Sequence, residues 1–174
     1  MKNRIALVTI ASVTALLMGS AYAAHAAQTD LLREMQDRKE IEALMWRYCR
    51  SLDTLDAKAY AAVYTQDGQF GSGRNAAKGR AGLEKMIADL KQARAEREAK
   101  GEPKSPPMYH MIANSHLEFI DKDHARLHSY WMTVFGAAGQ DTPTRIAAAG
   151  RGIDELVRVN GQWLIQSRNV APQD

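Results

Sequence analysis

The stretch from Tyr109 to Phe119 holds two histidines and an asparagine in what reads as a β-strand. An imidazole is the side chain best suited to moving a proton near neutral pH. An amide two strand steps away can donate to a substrate oxygen or make a structural hydrogen bond. Successive strand side chains point to opposite faces. Alternation therefore puts His110, Ile112, Asn114 and His116 on one face, and Met111, Ala113, Ser115 and Leu117 on the other. The first face either lines a pocket or meets water.

Other groups that could do chemistry are few. Cys49, the one cysteine of the chain, cannot form an internal disulfide and sits in a helical apolar pattern as a small core residue. His116, His124 and His128 share no convergent face with a carboxylate, so no metal site is expected. No CxxC, HExxH, P-loop or GxGxxG motif occurs. Arg158 and Arg168 fall on strands near the expected sheet edge, where ion pairing is the default role and anion steering the second.

The 174 residues carry a formal net charge of +3. Part of that charge belongs to the N-terminus. Lys2 and Arg4, the apolar run Ile5 to Met18 and the Ala21-Tyr22-Ala23 tripeptide match a secretory signal peptide over residues 1–23, with a second possible cut at Ala24-His25-Ala26. Without Lys2 and Arg4 the 23 basic residues fall to 21 against 20 acidic ones, a net charge of +1. No basic patch interleaved with aromatics is present, which disfavours nucleic acid as a partner. The expectation is one periplasmic or secreted domain, 24–174, with no membrane attachment after cleavage.

The elements that must position His110 follow in order. Leu31, Met35, Ile41, Leu44, Met45, Tyr48 and Leu52 recur at three- and four-residue steps, predicting an amphipathic helix over 30–51 that ends near Asp53. Asp56 is placed to cap a second short helix through Tyr60 to Tyr64. A short strand at Gln69-Phe70 and a third helix after Gly82, with Leu83, Met86, Ile87 and Leu90 as its stripe, come next. Gly101, Pro103, Pro106 and Pro107 end that helix and lead to His110. Four strands follow at 110–120, 125–135, 145–159 and 163–170, with turns at Asp121-Lys122-Asp123 and Asn160-Gly161. Helices followed by a curling antiparallel sheet make an α+β arrangement.

Several motifs together resemble a known family. Glu40-Ile41-x-x-Leu44-x-x-x-Tyr48-x-x-x-Leu52-Asp53-x-x-Asp56 and Tyr64-x-x-Asp67-Gly68-x-Phe70 are similar to the opening of the SnoaL-like branch of the nuclear-transport-factor-2-like (NTF2-like) superfamily. His110-x-x-x-Asn114, Asp154-x-Leu156-x-Arg158-x-x-Gly161-x-Trp163 and Arg168 continue the match. The resemblance implies an NTF2-like α+β barrel: a cone-shaped, curved, mostly antiparallel sheet wrapped around N-terminal helices over a deep pocket. It implies homo-oligomers, dimers or trimers. Within the branch, scytalone dehydratase and hexachlorocyclohexane dehydrochlorinase look most similar. That likeness implies that His110 takes a proton from substrate while Asp53 holds its ring, with no cofactor.

Helical period for Tyr48 and Tyr64, strand parity for Ile112, Asn114, Ser129 and Trp131, and the resemblance together nominate these six as pocket residues. Tyr48, Tyr64 and Trp131 are equally placed to be core. Ser129 stands where the dehydratase has a second histidine, Ser72 where it has a pocket tyrosine, and Gly150 and Gly152 where it has polar ligands. The two glycines share a face with Ala148 and suggest a shallow wall with room for a bulky ligand. The expected function is a lyase (dehydratase) or isomerase acting on a small, largely apolar organic molecule. The alternatives are a non-catalytic ligand-binding or protein-association domain, and the small subunit of an oxygenase.

Overall fold

The computed structural model describes residues 2–137 and 142–172, with side chains at residue 25 and from residue 27 onward. The chain divides between Lys39 and Glu40 into two compact units. The first is the leading part of helix α1 (Lys2–Asp53), where Leu31, Leu32 and Met35 are exposed and Arg38 is paired with Glu34 at 2.7 Å. The side chains of the expected signal peptide and its cleavage sites, His25 apart, lie outside the described residues. Among the described residues no helix is long and apolar enough to cross a membrane.

The second unit, from Glu40 onward, carries the rest of the fold. Helix α1 buries Ile41, Leu44, Met45, Tyr48 and Cys49 along one stripe, the face its spacing predicts. Each such side chain stabilises the fold by roughly 1.5–3 kcal/mol when fully buried. The helix stops at Asp53, and Leu55 follows with φ +51, the left-handed conformation that closes a helix end. Asp56 caps helix α2 (Ala57–Ala62) by accepting from the Ala59 N–H at 3.0 Å.

Helix α2 is shorter than expected. Tyr64 opens strand β1 (Tyr64–Phe70), because the Val63-Tyr64-Thr65 run pairs with the chain's last strand, the Ile165 N–H donating to the Val63 carbonyl at 2.9 Å. A two-residue strand β2 (Ala77–Lys78) and helix α3 (Gly79–Ala99) follow. The long strands are β3 (Met108–Phe119), β4 (His124–Phe135), β5 (Arg145–Val159) and β6 (Gln162–Asn169). They form one six-stranded sheet in the order β2-β1-β6-β5-β4-β3, antiparallel everywhere except between β1 and β6. Among the described residues six strands replace the five expected. The parallel β1–β6 pairing puts β6 inside the sheet, so Arg168 is interior rather than at an edge.

Alternation along β3 also breaks midway. The register shifts between Ala113 and His116, and Asn114 sits in the shift with φ +47, a conformation asparagine tolerates better than most residues. Before the bulge Ile112 packs toward the core; after it Leu117 and Phe119 do. His116 is turned outward beside His128, the two rings 6.3 Å apart, and does not share the face of His110. Asn114 is exposed for the same reason.

Candidate functional site

Asp53 is the last residue of α1, and His110 is the third of β3. The Asp53 carboxylate takes two hydrogen bonds from His110 on one oxygen. Oδ1 accepts from the ring Nδ1 at 2.8 Å and from the backbone N–H at 2.9 Å. Holding the Nδ1 proton against the carboxylate leaves Nε2 as the ring atom free to accept a proton. A carboxylate at a helix C-terminus opposes the helix dipole by about 0.3–1 kcal/mol. Arg50 offsets part of this from 3.8 Å. An acidic residue kept there against the dipole, 8% exposed, has a positioning role that helix stability does not explain.

His110 opens onto a cavity of about 230 Å³. Tyr48, Leu52, Phe70, Ile112, Trp131, Thr133, Ala148, Arg168 and Val170 complete most of its wall. Cross-strand register brings these together: Ile112 lies opposite Trp131, Thr133 opposite His110, and Ala148 opposite Thr133. The wall is apolar apart from Thr133, His110, Tyr48 and Arg168. A larger open groove of about 830 Å³ runs past Trp46, Arg47 and Arg50 to Gln162. Neither His110 nor Arg168 lines it.

Of the expected pocket residues, the structure places Tyr48, Ile112 and Trp131 on the cavity with His110. Three others are elsewhere. Tyr64 is fully buried in the core, its hydroxyl 3.1 Å from that of Tyr60. Ser129 is buried with its hydroxyl unpartnered among the described residues, opposite Gly152 and off the cavity wall. Asn114 is outside, displaced by the bulge. The shallow wall expected at Gly150 is also filled: a Cβ there would lie 2.9 Å from Trp131 Cζ2. The indole lies across the glycine and is pinned by its Nε1 donating to the Arg151 and Val170 carbonyls at 2.9 and 3.0 Å.

Arg168, expected near a sheet edge, is instead central to the site. It is 2% exposed, its guanidinium lies 4.5 Å from the Tyr48 ring centre, and its Nη1 donates to Asp154 Oδ2. Asp154 is fully buried, and burial pushes its carboxyl up to about 6 even though the Arg168 charge pulls the other way. The facing pair Asp154–Arg168 across β5 and β6 was a sequence signal for this contact. Burial likewise pushes the Cys49 thiol up to about 11, which keeps it protonated and inert. Among the described residues no three His, Cys, Asp or Glu side chains come close enough to hold a metal ion.

Comparison with known proteins agrees with this architecture. The SnoaL-like domain model matches residues 33–169. A solved protein of unknown function from Mycobacterium tuberculosis is similar at 23% identity and TM-score 0.66, over 82% of this chain and 75% of that one. An NTF2-like protein with a cystatin-like fold from Novosphingobium aromaticivorans is similar at 21% identity and TM-score 0.67, over 84% and 88%. A protein provisionally named scytalone dehydratase, from the same organism, is similar at 22% identity and TM-score 0.59, over 79% and 84%. No curated protein matches. At these identities the solved structures show an NTF2-like fold and no more, and the family match covers most of the chain: the protein belongs to the SnoaL-like family.

Proposed function

We propose that the protein is a lyase or isomerase in which His110, oriented by Asp53, removes a proton from a small organic molecule held in the cavity. The observation that carries this reading is the double hydrogen bond from His110 to Asp53 Oδ1, which directs the free ring nitrogen away from the carboxylate. A base held this way contributes typically ~10²–10⁴-fold to a proton-transfer step. The carboxylate fixes the tautomer and stabilises the imidazolium that forms. Leu52, Phe70, Ile112, Ala148 and Val170 on the wall favour a substrate with a largely apolar body.

Proton abstraction can be tested before the substrate is known. A panel of small ketones and hydroxyketones is incubated with the protein in heavy water, and exchange of carbon-bound hydrogen is followed by NMR. Enzyme-dependent exchange that His110→Gln abolishes is the expected result. Exchange undiminished in that variant removes the base from His110. Compounds that bind without exchanging would support the ligand-binding alternative instead.

The residue 1–23 leader supports export to the periplasm or beyond, with removal after Ala23 or Ala26. Intact-mass measurement of protein from the periplasmic fraction checks it, and a full-length product confined to the cytoplasm would refute it.

A further inference from the structure

We infer that Arg168 is the cavity's oxygen-binding group, so that the ligand pairs an apolar body with a carboxylate or carbonyl oxygen. The inference deepens the reading above and rests on the His110 cavity being the ligand site. A guanidinium has five N–H donors in a fixed plane. Among the described residues Asp154 engages it through Nη1, and Nε is sealed from solvent without a partner, so any contact with a ligand falls to the Nη groups. The carboxylate is equally short of partners, since among the described residues nothing donates to Asp154 Oδ1. A buried ion pair satisfied on so few of its atoms is a poor stabilising device, because desolvation of both charges offsets their attraction. Stability therefore does not account for an arginine placed on the wall of an otherwise apolar cavity.

Its orientation is controlled as well. Tyr48 covers the guanidinium at 4.5 Å to the ring centre, and Asp154 holds Nη1. Both residues confine the plane of the donors that remain. His110 and Arg168 line the same cavity of about 230 Å³, a space for a molecule of roughly one ring. A single small ligand can thus present a carbon-bound proton to His110 and an oxygen to Arg168. With a carbonyl next to the deprotonated carbon, the proton passes to His110 Nε2, the C–H electron pair forms a carbon–carbon double bond, and the carbonyl π pair moves onto oxygen. The enolate so formed bears its charge where Arg168 can hold it.

The test uses three probes of similar size: benzoate, acetophenone and ethylbenzene, titrated into the full chain and followed by the Trp131 indole N–H in NMR spectra. Wild type should bind benzoate or acetophenone roughly 10- to 100-fold tighter than ethylbenzene, the range of a hydrogen bond to a charged group. Tighter benzoate assigns a carboxylate, and tighter acetophenone a carbonyl. Replacing Arg168 alone would strand Asp154, so the variant is Arg168→Met with Asp154→Leu, which removes both charges at similar volume. It should bind ethylbenzene as wild type does and lose the oxygen preference. Arg168→Lys should retain part of that preference. A preference that survives the double replacement, or no binding of either oxygen probe, overturns the assignment. His110→Gln should keep the preference. Failure of the base reading would show instead as deuterium exchange that His110→Gln leaves intact.

Discussion

Asp53 Oδ1 binds His110 twice, once through the ring and once through the backbone. The carboxylate therefore does more than tune an imidazole. It ties the end of α1 to the start of β3, and the two substitutions at this pair should separate those duties. His110→Gln keeps the backbone bond and should cost about 0.5–1.5 kcal/mol of stability. Asp53→Asn weakens both bonds and should cost more, about 1–3 kcal/mol. On turnover the order disappears: each should cost ~10²–10⁴-fold, and the double variant little more than either, as for groups acting together. Denaturant unfolding beside rate measurements reads both, and additive rate losses would show that the residues act independently.

The Asp154 carboxyl gives a pH dependence with a definite sign. Its folded value is raised from 3.8 to about 6, so between those limits the folded state binds more protons than the unfolded chain. Stability must then fall as pH rises from about 4 to about 6. Many groups titrate in that window, so the clean comparison is wild type against Arg168→Met with Asp154→Leu. The Tm difference between the two should move against wild type across the window. A difference that moves toward wild type would mean that Arg168 holds Asp154 ionised throughout.

Gly150→Ala tests the wall of the cavity. The added methyl would meet Trp131 Cζ2 at 2.9 Å, and the indole cannot simply swing away while Nε1 is bonded to two carbonyls. Overpacking of this kind costs roughly 1–3 kcal/mol. The substitution should lower Tm and shift the Trp131 N–H resonance, with both changes arising together. An unchanged indole resonance would place the ring elsewhere.

Much of this architecture is written in local pattern. The buried stripe of α1, the Asp56 cap and the four long strands follow from spacing and turn chemistry alone. His110 follows from strand parity, and Asp53 from the family motif. Parity failed where the chain departs from it. The Asn114 bulge moves one residue out of step, so His116 and Asn114 leave the pocket face while Leu117 enters it. Asn114 and Ser115 are weak strand formers and were the available hint. The ion pairing expected of Arg168 is present, but its place near a sheet edge is not: β1 lies beside β6, and no periodicity reports which strands become neighbours.

The sheet order has a bearing on how the molecule comes into being. β6 is the last described strand in chain order, yet it lies between β1 and β5. Until Gln162–Asn169 is available, β1 and β2 have no strand connecting them to β3, β4 and β5, and the sheet exists in two pieces. Joining strands this far apart in sequence carries a loop-closure cost that local hairpins avoid. The seam also runs through Arg168, which enters with β6. A chain cut short before Gln162 would therefore keep Asp53 and His110 but lack the Arg168 and Val170 parts of the cavity wall.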